Sequence, residues 1–413
     1  MGEPLHGSGT KTIEAVYELP YQAHAAMEPM TCTVSIRDGQ VEVWAPTQAP
    51  QQAFAEAERH GLSTFHRLLN KLNRKIFHKP DTAVRVQVTQ LGGAFGRRLQ
   101  QDYVAEAAQI ARISGRSIRL VWSREEDLQH DYYRPASVHR LRAQLDAQGA
   151  IHQWQHKIVS GSINEYLWPG STGTGGDGAV TEGATGLPYA MARRTVEYVK
   201  LISSVPLGFW RSVGNSHTAF AKECFIDELA HAAQHDPLQY RRDLLKNQPA
   251  MLAVLQLAAD KAAWGRPLAA GHFHGLAMHS SYGSHVAQIA EVSIDAQQGI
   301  RVHKVVVAID CGTVINPDGV RAQMESAIVF GLTATLKSAI TVEDDRVVQS
   351  NFHDFPLLTM AETPQVETHF VTSARPPAGV GEPAVPPIAP AVANAVFAAS
   401  GQRLRTLPLR LGG

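Results

Sequence analysis

An α+β fold is predicted for this chain on three observations. Hairpin signals recur along its whole length, helical periodicities lie between them, and the two do not alternate in strict strand–helix–strand order. Thr33–Arg37 and Gln40–Trp44 flank Asp38-Gly39, a type I′ turn pair. His139–Asp146 and Ala150–Val159 flank Ala147-Gln148-Gly149, and Ala290–Asp295 and Ile300–Ile309 flank Ala296–Gly299. A shorter pair, Thr341-Val342 and Val347-Val348, flanks Glu343–Arg346. Ala221, Phe225, Leu229 and Ala232 have the spacing of one face of an amphipathic helix. Pro390–Ser400 reads as a short helix closed by Gly401.

With 413 residues the chain is long enough for about two to three domains. Residues 170–186 contain seven glycines and read as a flexible loop or linker, which places a boundary there. A second boundary falls near Pro267–Gly271, giving expected segments 1–175, 176–268 and 269–413. Gly173 to Gly178 satisfies G-x-G-x-x-G, but no strand leads in and no helix leaves, so a dinucleotide site is not expected.

Composition excludes several classes. Apolar residues make up 44% and charged residues 18%, as in an ordinary globular protein. Lys+Arg and Asp+Glu both number 38, so there is no global electrostatic case for nucleic acid or an anionic membrane. No apolar run reaches the length of a membrane span. Met1 to Lys11 lacks an export signal, so the chain by itself reads as cytoplasmic. Cys32, Cys224 and Cys311 are far apart, whereas an iron–sulfur cluster needs about four thiolates. If the chemistry is redox, electrons leave through another subunit.

Four segments could carry chemistry. Gly379-Val380-Gly381-Glu382-Pro383, continued by Pro386-Pro387, holds one carboxylate on a loop stiffened by prolines and opened by glycines. That suits a general base, although taken alone the loop is more often an ordinary surface turn. Val84, Val86 and Val88 read as a strand with one buried face, followed by Gly92–Arg98 and a helix with Val104, Ala107, Ala108 and Ala111 on one side. A strand, a Gly-rich turn and a helix start offer backbone N–H groups to an anion, and Arg97 and Arg98 could add charged donors. The alternative is a tight corner with two solvated arginines. In Gly208–Gly214, Arg211 stands among Phe209 and Trp210, where it could polarise a substrate or simply end a strand. Asp310–Gly312, Asn316-Pro317 and Gln323 read as a strand, a turn and a helix start, with Gln323 able to offer donor and acceptor to a heterocycle. His272, His274, His279 and His285 cluster without the spacing of a metal site, and no G-x-S-x-G is present.

Together with Met27–Pro29, Thr47-Gln48, Gln129–Pro135, Phe225–Glu228 and Asn351–Pro356, these segments resemble the molybdenum-cofactor subunit of the xanthine oxidase family. The branch is that of the isoquinoline 1-oxidoreductase beta subunit and its aldehyde dehydrogenase relatives. The resemblance implies a molybdenum hydroxylase that inserts a water-derived oxygen beside the nitrogen of an N-heteroaromatic ring, with aldehyde oxidation to carboxylate as the alternative. A non-catalytic remnant or assembly scaffold is the alternative of another class. It implies Glu382 as the base, Arg211 and Trp210 at the substrate, and Gln48, Gly93, Ala94, Phe95, Gly96, Arg97, Gln323 and Gly381 at the cofactor. That cofactor would be molybdopterin cytosine dinucleotide, its metal held by the pterin dithiolene rather than by protein ligands.

The implied partners are a small 2Fe-2S subunit, a cytochrome c, and a second chain or segment supplying the G-Q-G signature, which is not found in this sequence. A periplasmic location is compatible if that other part carries an export signal. Two departures stand out. Ala94 replaces the third glycine of the family's loop, harmless only if its φ is negative. Glu58–Lys79 is longer and more basic than the family pattern.

Overall fold

The computed structural model describes residues 11–77, 83–173, 175–295 and 299–412. Among the described residues, three four-stranded sheets and one two-stranded hairpin carry packed helices, an α+β fold. The first sheet runs Lys11–Leu19, Ser137–Leu145, Ile151–Gly161, Arg193–Leu201, antiparallel except for its last, parallel pair. The second runs Val84–Val88, Gln40–Ala45, Thr31–Arg37, Ile118–Val121. The third runs Gln365–Phe370, Gly299–Asp310, Ser284–Asp295, His272–Ser281.

All four expected hairpins form. Asp38 (φ 50°) and Gly39 (φ 75°) both take the left-handed region that a type I′ turn requires. In the Ala296–Gly299 turn, residues 296–298 lie outside the described residues, but Asp295 pairs with Gly299 across it. The helix closed by Gly401 runs Ile388–Ser400, and Gly401 (φ 72°) donates its N–H to the Phe397 carbonyl.

Three expectations need correction. The helix through Phe225 spans Asn215–Ala232, but it is not amphipathic: every residue from Asn215 to Ala230 is buried. It lies between the first sheet and the pair formed by strand His272–Ser281 and helix Ile388–Ser400. Its charged residues therefore find partners inside: Glu223 with Arg241 at 3.2 Å, Asp227 with Arg403 at 2.7 Å and Glu228 with Arg405 at 2.7 Å. The glycine-rich stretch is not a loose linker where it is described. Asp177, buried, accepts from the Ser162 hydroxyl and from the Asn164 and Ala179 amides and caps a short turn, Gly178–Thr181. The Val84–Val88 strand does not bury one whole face: it is an edge strand, and Val88 is exposed at its end.

The largest apolar core draws on residues from Ala15 to Leu409 and so crosses both expected boundaries. A second core joins the second sheet to helices Pro50–Gly61 and Asp102–Ser114. All three cysteines are buried and free, and burial pushes the Cys32 thiol up to about 12, which makes it a poor nucleophile. Among the described residues no helix is long and apolar enough to cross a membrane.

Gly275 marks where helix Ile388–Ser400 meets the third sheet. A Cβ there would stand 2.1 Å from the Ala391 carbonyl oxygen and 2.1 Å from the Ala395 nitrogen. Gly275→Ala should therefore cost at least ~1–3 kcal/mol by overpacking, read as a lower urea midpoint.

Candidate active site

The loop of Glu382 is pinned along its length. The Gly379 N–H donates to the Tyr282 carbonyl at 3.0 Å, and the Ser284 hydroxyl donates to the Gly379 carbonyl at 2.6 Å. Gln288, fully buried, donates to the Ala384 carbonyl at 2.7 Å. The Ser212 N–H donates to Glu382 Oε1 at 3.0 Å, and the Ser212 hydroxyl to the Glu382 carbonyl at 2.5 Å. Both the backbone and the carboxylate of Glu382 are thus held from the Arg211–Gly214 turn. Ser212 (φ 75°) and Val213 (φ 48°) sit in left-handed conformations that side chains with a Cβ rarely adopt.

Arg211 makes the opposite wall. It is buried, and its Nε donates to the Gly381 carbonyl at 2.7 Å, Nη1 to the Ser326 hydroxyl at 3.0 Å and Nη2 to Gln323 Oε1 at 3.0 Å. Burial lowers its guanidinium to about 10, opposed by Glu382, so it stays charged at neutral pH. Gln323 and Ser326 project from helix Pro317–Leu336, whose first turn is capped by Asn316 accepting from the Gly319 N–H.

The third wall is the turn after Val84–Val88. Gly96 (φ 112°) passes so close to the Arg211 segment that a Cβ on it would lie 1.5 Å from the Phe209 carbonyl oxygen. No other residue fits. Phe95 takes φ 56°, and its ring stacks on Phe330 at 4.5 Å, which stacks on Trp210 at 4.5 Å. Ala94 does not take a positive φ, so its methyl is tolerated. Behind this wall, His24 bridges Asp131 Oδ1 at 2.8 Å and the Phe209 carbonyl at 3.1 Å.

Gln48, Ala94, Phe95, Gly96, Arg211, Gln323, Gly381 and Glu382 therefore line one cavity of about 580 Å³. Gly93, Arg97, Arg98 and Trp210, also expected at the site, do not. The Arg97 side chain points inward, bidentate to Asp102 at 2.9 and 2.7 Å and 3.2 Å from Asp131, between the Trp122 and Tyr132 rings. Arg98, the other candidate anion donor, is likewise held by Glu28 and the Gly93 carbonyl. Gly93 lies behind the wall against Ala26. Trp210 is buried, donates to the Ala23 carbonyl at 3.1 Å and faces a separate apolar cavity of about 280 Å³. Of the clustered histidines, His279 is bonded to Asn215 and Lys222, His272 to Glu291 and His285 to Ser280, and His274 stacks on Trp264.

Sequence reasoning missed Ser212, Tyr282, Ser326 and Glu182. Glu182 accepts the Gly214 N–H at 2.9 Å, so a single turn holds two carboxylates, Glu382 through residue 212 and Glu182 through residue 214. Burial raises the Glu182 carboxyl to about 7; the Gly214 and Asn215 amides oppose this and Glu382 adds to it. Tyr282 faces both carboxylates, and burial with their charge raises its phenol well above the ordinary value. The only signal for Glu182 in the sequence was its place beside Gly183, in a stretch that reads as a linker.

The raised Glu182 carboxyl makes stability depend on pH. Its stabilisation is complete below about 4.5, the ordinary value, and is lost as pH rises to about 7. Over that window the protein should lose on the order of 2 kcal/mol relative to Glu182→Gln. Urea midpoints of both proteins across that range test this, and parallel profiles would remove Glu182 from the titration.

Known proteins give the same geometry a family. Residues 6–245 and 221–364 both match the molybdopterin cofactor-binding domain. The beta subunit of isoquinoline 1-oxidoreductase from Brevundimonas diminuta is 31% identical over 97% of this chain and 50% of its own length. The membrane-bound aldehyde dehydrogenase (pyrroloquinoline-quinone) of Gluconacetobacter polyoxogenes is 28% identical over 98% of this chain and 54% of its own. This chain thus spans about half the length of the curated relatives it matches. The crystal structure of quinoline 2-oxidoreductase from Pseudomonas putida 86 shares the fold, with a TM-score of 0.78 at 14% identity over 97% of this chain and 75% of that one. On the matched domains, the chain belongs to the molybdopterin cofactor-binding proteins of the xanthine oxidase family.

Proposed function

We propose that this chain supplies the general base and substrate cavity of a molybdenum hydroxylase acting on N-heteroaromatic compounds, at a carbon beside the ring nitrogen. The observation that carries it is Glu382, held by Ser212 on the rim of a cavity shared with Gln48, the Ala94–Gly96 turn, Arg211 and Gln323. The cavity suits a molybdopterin. It measures about 580 Å³, its wall at Gly96 admits no side chain, and Gln48 and Gln323 offer amide groups. Among the described residues no group of His, Cys, Asp or Glu could hold a metal ion, so the cofactor would bring the metal's ligands itself.

Gln48, Ala94, Phe95, Gly96, Gln323 and Gly381 would hold the cofactor, with Gly93 and Arg97 shaping the turn from behind. When bound, the cofactor supplies the redox chemistry of oxygen transfer. Glu382 would then remove a proton at the reacting centre as general base. Glu182, holding a proton up to about pH 7, keeps a second negative charge away from that base. Arg211 fixes the Gly381 carbonyl beside the base and presents its charge to the substrate.

The ring substrate is supported by the Phe95–Phe330–Trp210 stack and by the adjoining apolar cavity, which Phe95, Phe330 and Leu357 line. Isoquinoline and nicotinate appear in the names of two relatives, the latter a chain of the nicotinate dehydrogenase from Pseudomonas putida at 25% identity. Aldehyde oxidation is the second reading, favoured by the 28% identity to the aldehyde dehydrogenase. The cofactor form we propose is the cytosine dinucleotide. A small 2Fe-2S subunit would take the electrons, with a cytochrome c as a further acceptor and another chain or segment completing the cofactor site.

Protein purified with its neighbouring gene products should contain stoichiometric molybdenum and cytosine dinucleotide and turn over a quinoline-type substrate. Exclusive aldehyde turnover would select the second reading, and no molybdenum in any combination would leave a scaffold instead. Glu382→Gln should keep the molybdenum and lose at least ~10²-fold in turnover; retained turnover would exclude Glu382 as base. Arg211→Ala should change substrate preference more than molybdenum content. Loss of the metal in that variant would assign Arg211 to the cofactor.

A further inference from the structure

Helix Thr64–Phe77 is turned inside out. Phe65, Leu68 and Leu72, spaced i, i+3 and i+7, form one apolar stripe, and they are 70%, 65% and 46% exposed. An amphipathic helix on a globular protein ordinarily buries such a stripe. Here the polar side faces the body instead. Arg67 and Asn70, on the opposite side, are half-buried, with Arg67 Nε and Asn70 Nδ2 shielded from water. Arg67 joins Arg59, His60, Gln109 and Arg112 around a polar cleft beneath the helix, and His66 rests against Gly39.

The charge of this region is as one-sided as its polarity. From Arg59 to Lys79 there are six Lys or Arg residues and not one Asp or Glu, in a chain whose total charge is zero. Lys71 and Lys75, four residues apart and both exposed, run along one edge of the stripe. A ridge of Phe and Leu bordered by lysines, at about 1.5 Å per residue too short to span a bilayer, has the form of a helix that lies in the plane of a membrane interface. A protein partner would need a groove both concave and acidic to match it. An anionic lipid surface matches both features without being shaped to them.

We propose that the Thr64–Phe77 helix is a membrane-surface site that places its Phe65–Leu68–Leu72 stripe into the interface of an anionic bilayer, with Lys71 and Lys75 against lipid headgroups. The proposal is independent of the redox chemistry assigned to the cavity.

Co-sedimentation of the full chain with phosphatidylglycerol-containing and purely phosphatidylcholine vesicles tests it. Binding should be at least ~10-fold stronger to the anionic vesicles and should weaken with salt. Phe65→Ser/Leu68→Ser/Leu72→Ser should abolish binding while leaving the thermal midpoint unchanged, because the stripe is exposed. Lys71→Gln/Lys75→Gln should remove the preference for anionic lipid. Equal binding to both vesicle types, or undiminished binding of the stripe variant, would overturn the proposal. So would an absence of vesicle binding with a dimer that the stripe variant converts to monomer, which would make the stripe a contact between copies.

Discussion

Everything at the candidate site hangs from the turn Arg211–Gly214. Its first residue reaches across the cavity to Gly381, Gln323 and Ser326, its second binds Glu382 by both backbone and hydroxyl, and its last binds Glu182. Two consecutive residues there adopt left-handed backbone. Such conformations cost of order 1–3 kcal/mol each and persist only where the surroundings over-determine them. Here the surroundings are helix Asn215–Ala232, which leaves the turn directly into the middle of the largest core. The buried helix is the rigid base from which the strained turn is held.

That arrangement also separates two carboxylates that would otherwise compete for the same role. Burial raises the Glu182 carboxyl to about 7 and the charge of Glu382 adds to it, while Glu382 faces the cavity. Beyond them, Asn215, His279 and Lys222 continue the polar chain into the core, with His279 bonded to Asn215 at 2.8 Å and to Lys222 at 2.9 Å. Burial holds His279 well below the ordinary imidazole value, so it enters this chain neutral. A neutral ring in that place donates to the Asn215 oxygen and accepts from Lys222.

The aromatic stack and the close approach at Gly96 fix the remaining wall. Phe330 sits between Phe95 and Trp210, so three segments distant in sequence share one packed layer. The Gly96 backbone lies against the Phe209 carbonyl, and His24 Nε2 lies 3.1 Å from the same carbonyl. A methyl at position 96 would separate these segments and open the cavity floor.

Local devices follow from residue type alone. Asp38-Gly39 specified its hairpin because both residues tolerate positive φ, and Gly401 stopped its helix for the same reason. Glu382, Arg211, Gln323 and the Ala94–Gly96 turn could be singled out from their glycines, prolines and polar residues, but each alone also fits an ordinary turn or strand end; the family resemblance drew them together, and they line one cavity. Tertiary structure decided which side of each device faces the cavity. Arg97 and Arg98 carry the same charge as Arg211, yet carboxylates and carbonyls of neighbouring segments turned them inward. Glu182 became part of the site only because the first residues of a buried helix bring an amide to it. The stripe on Thr64–Phe77 could be read from periodicity as apolar, but periodicity cannot say whether a helix turns that face in or out. Spacing along a chain sets which side chains share a face, and only packing sets what that face meets.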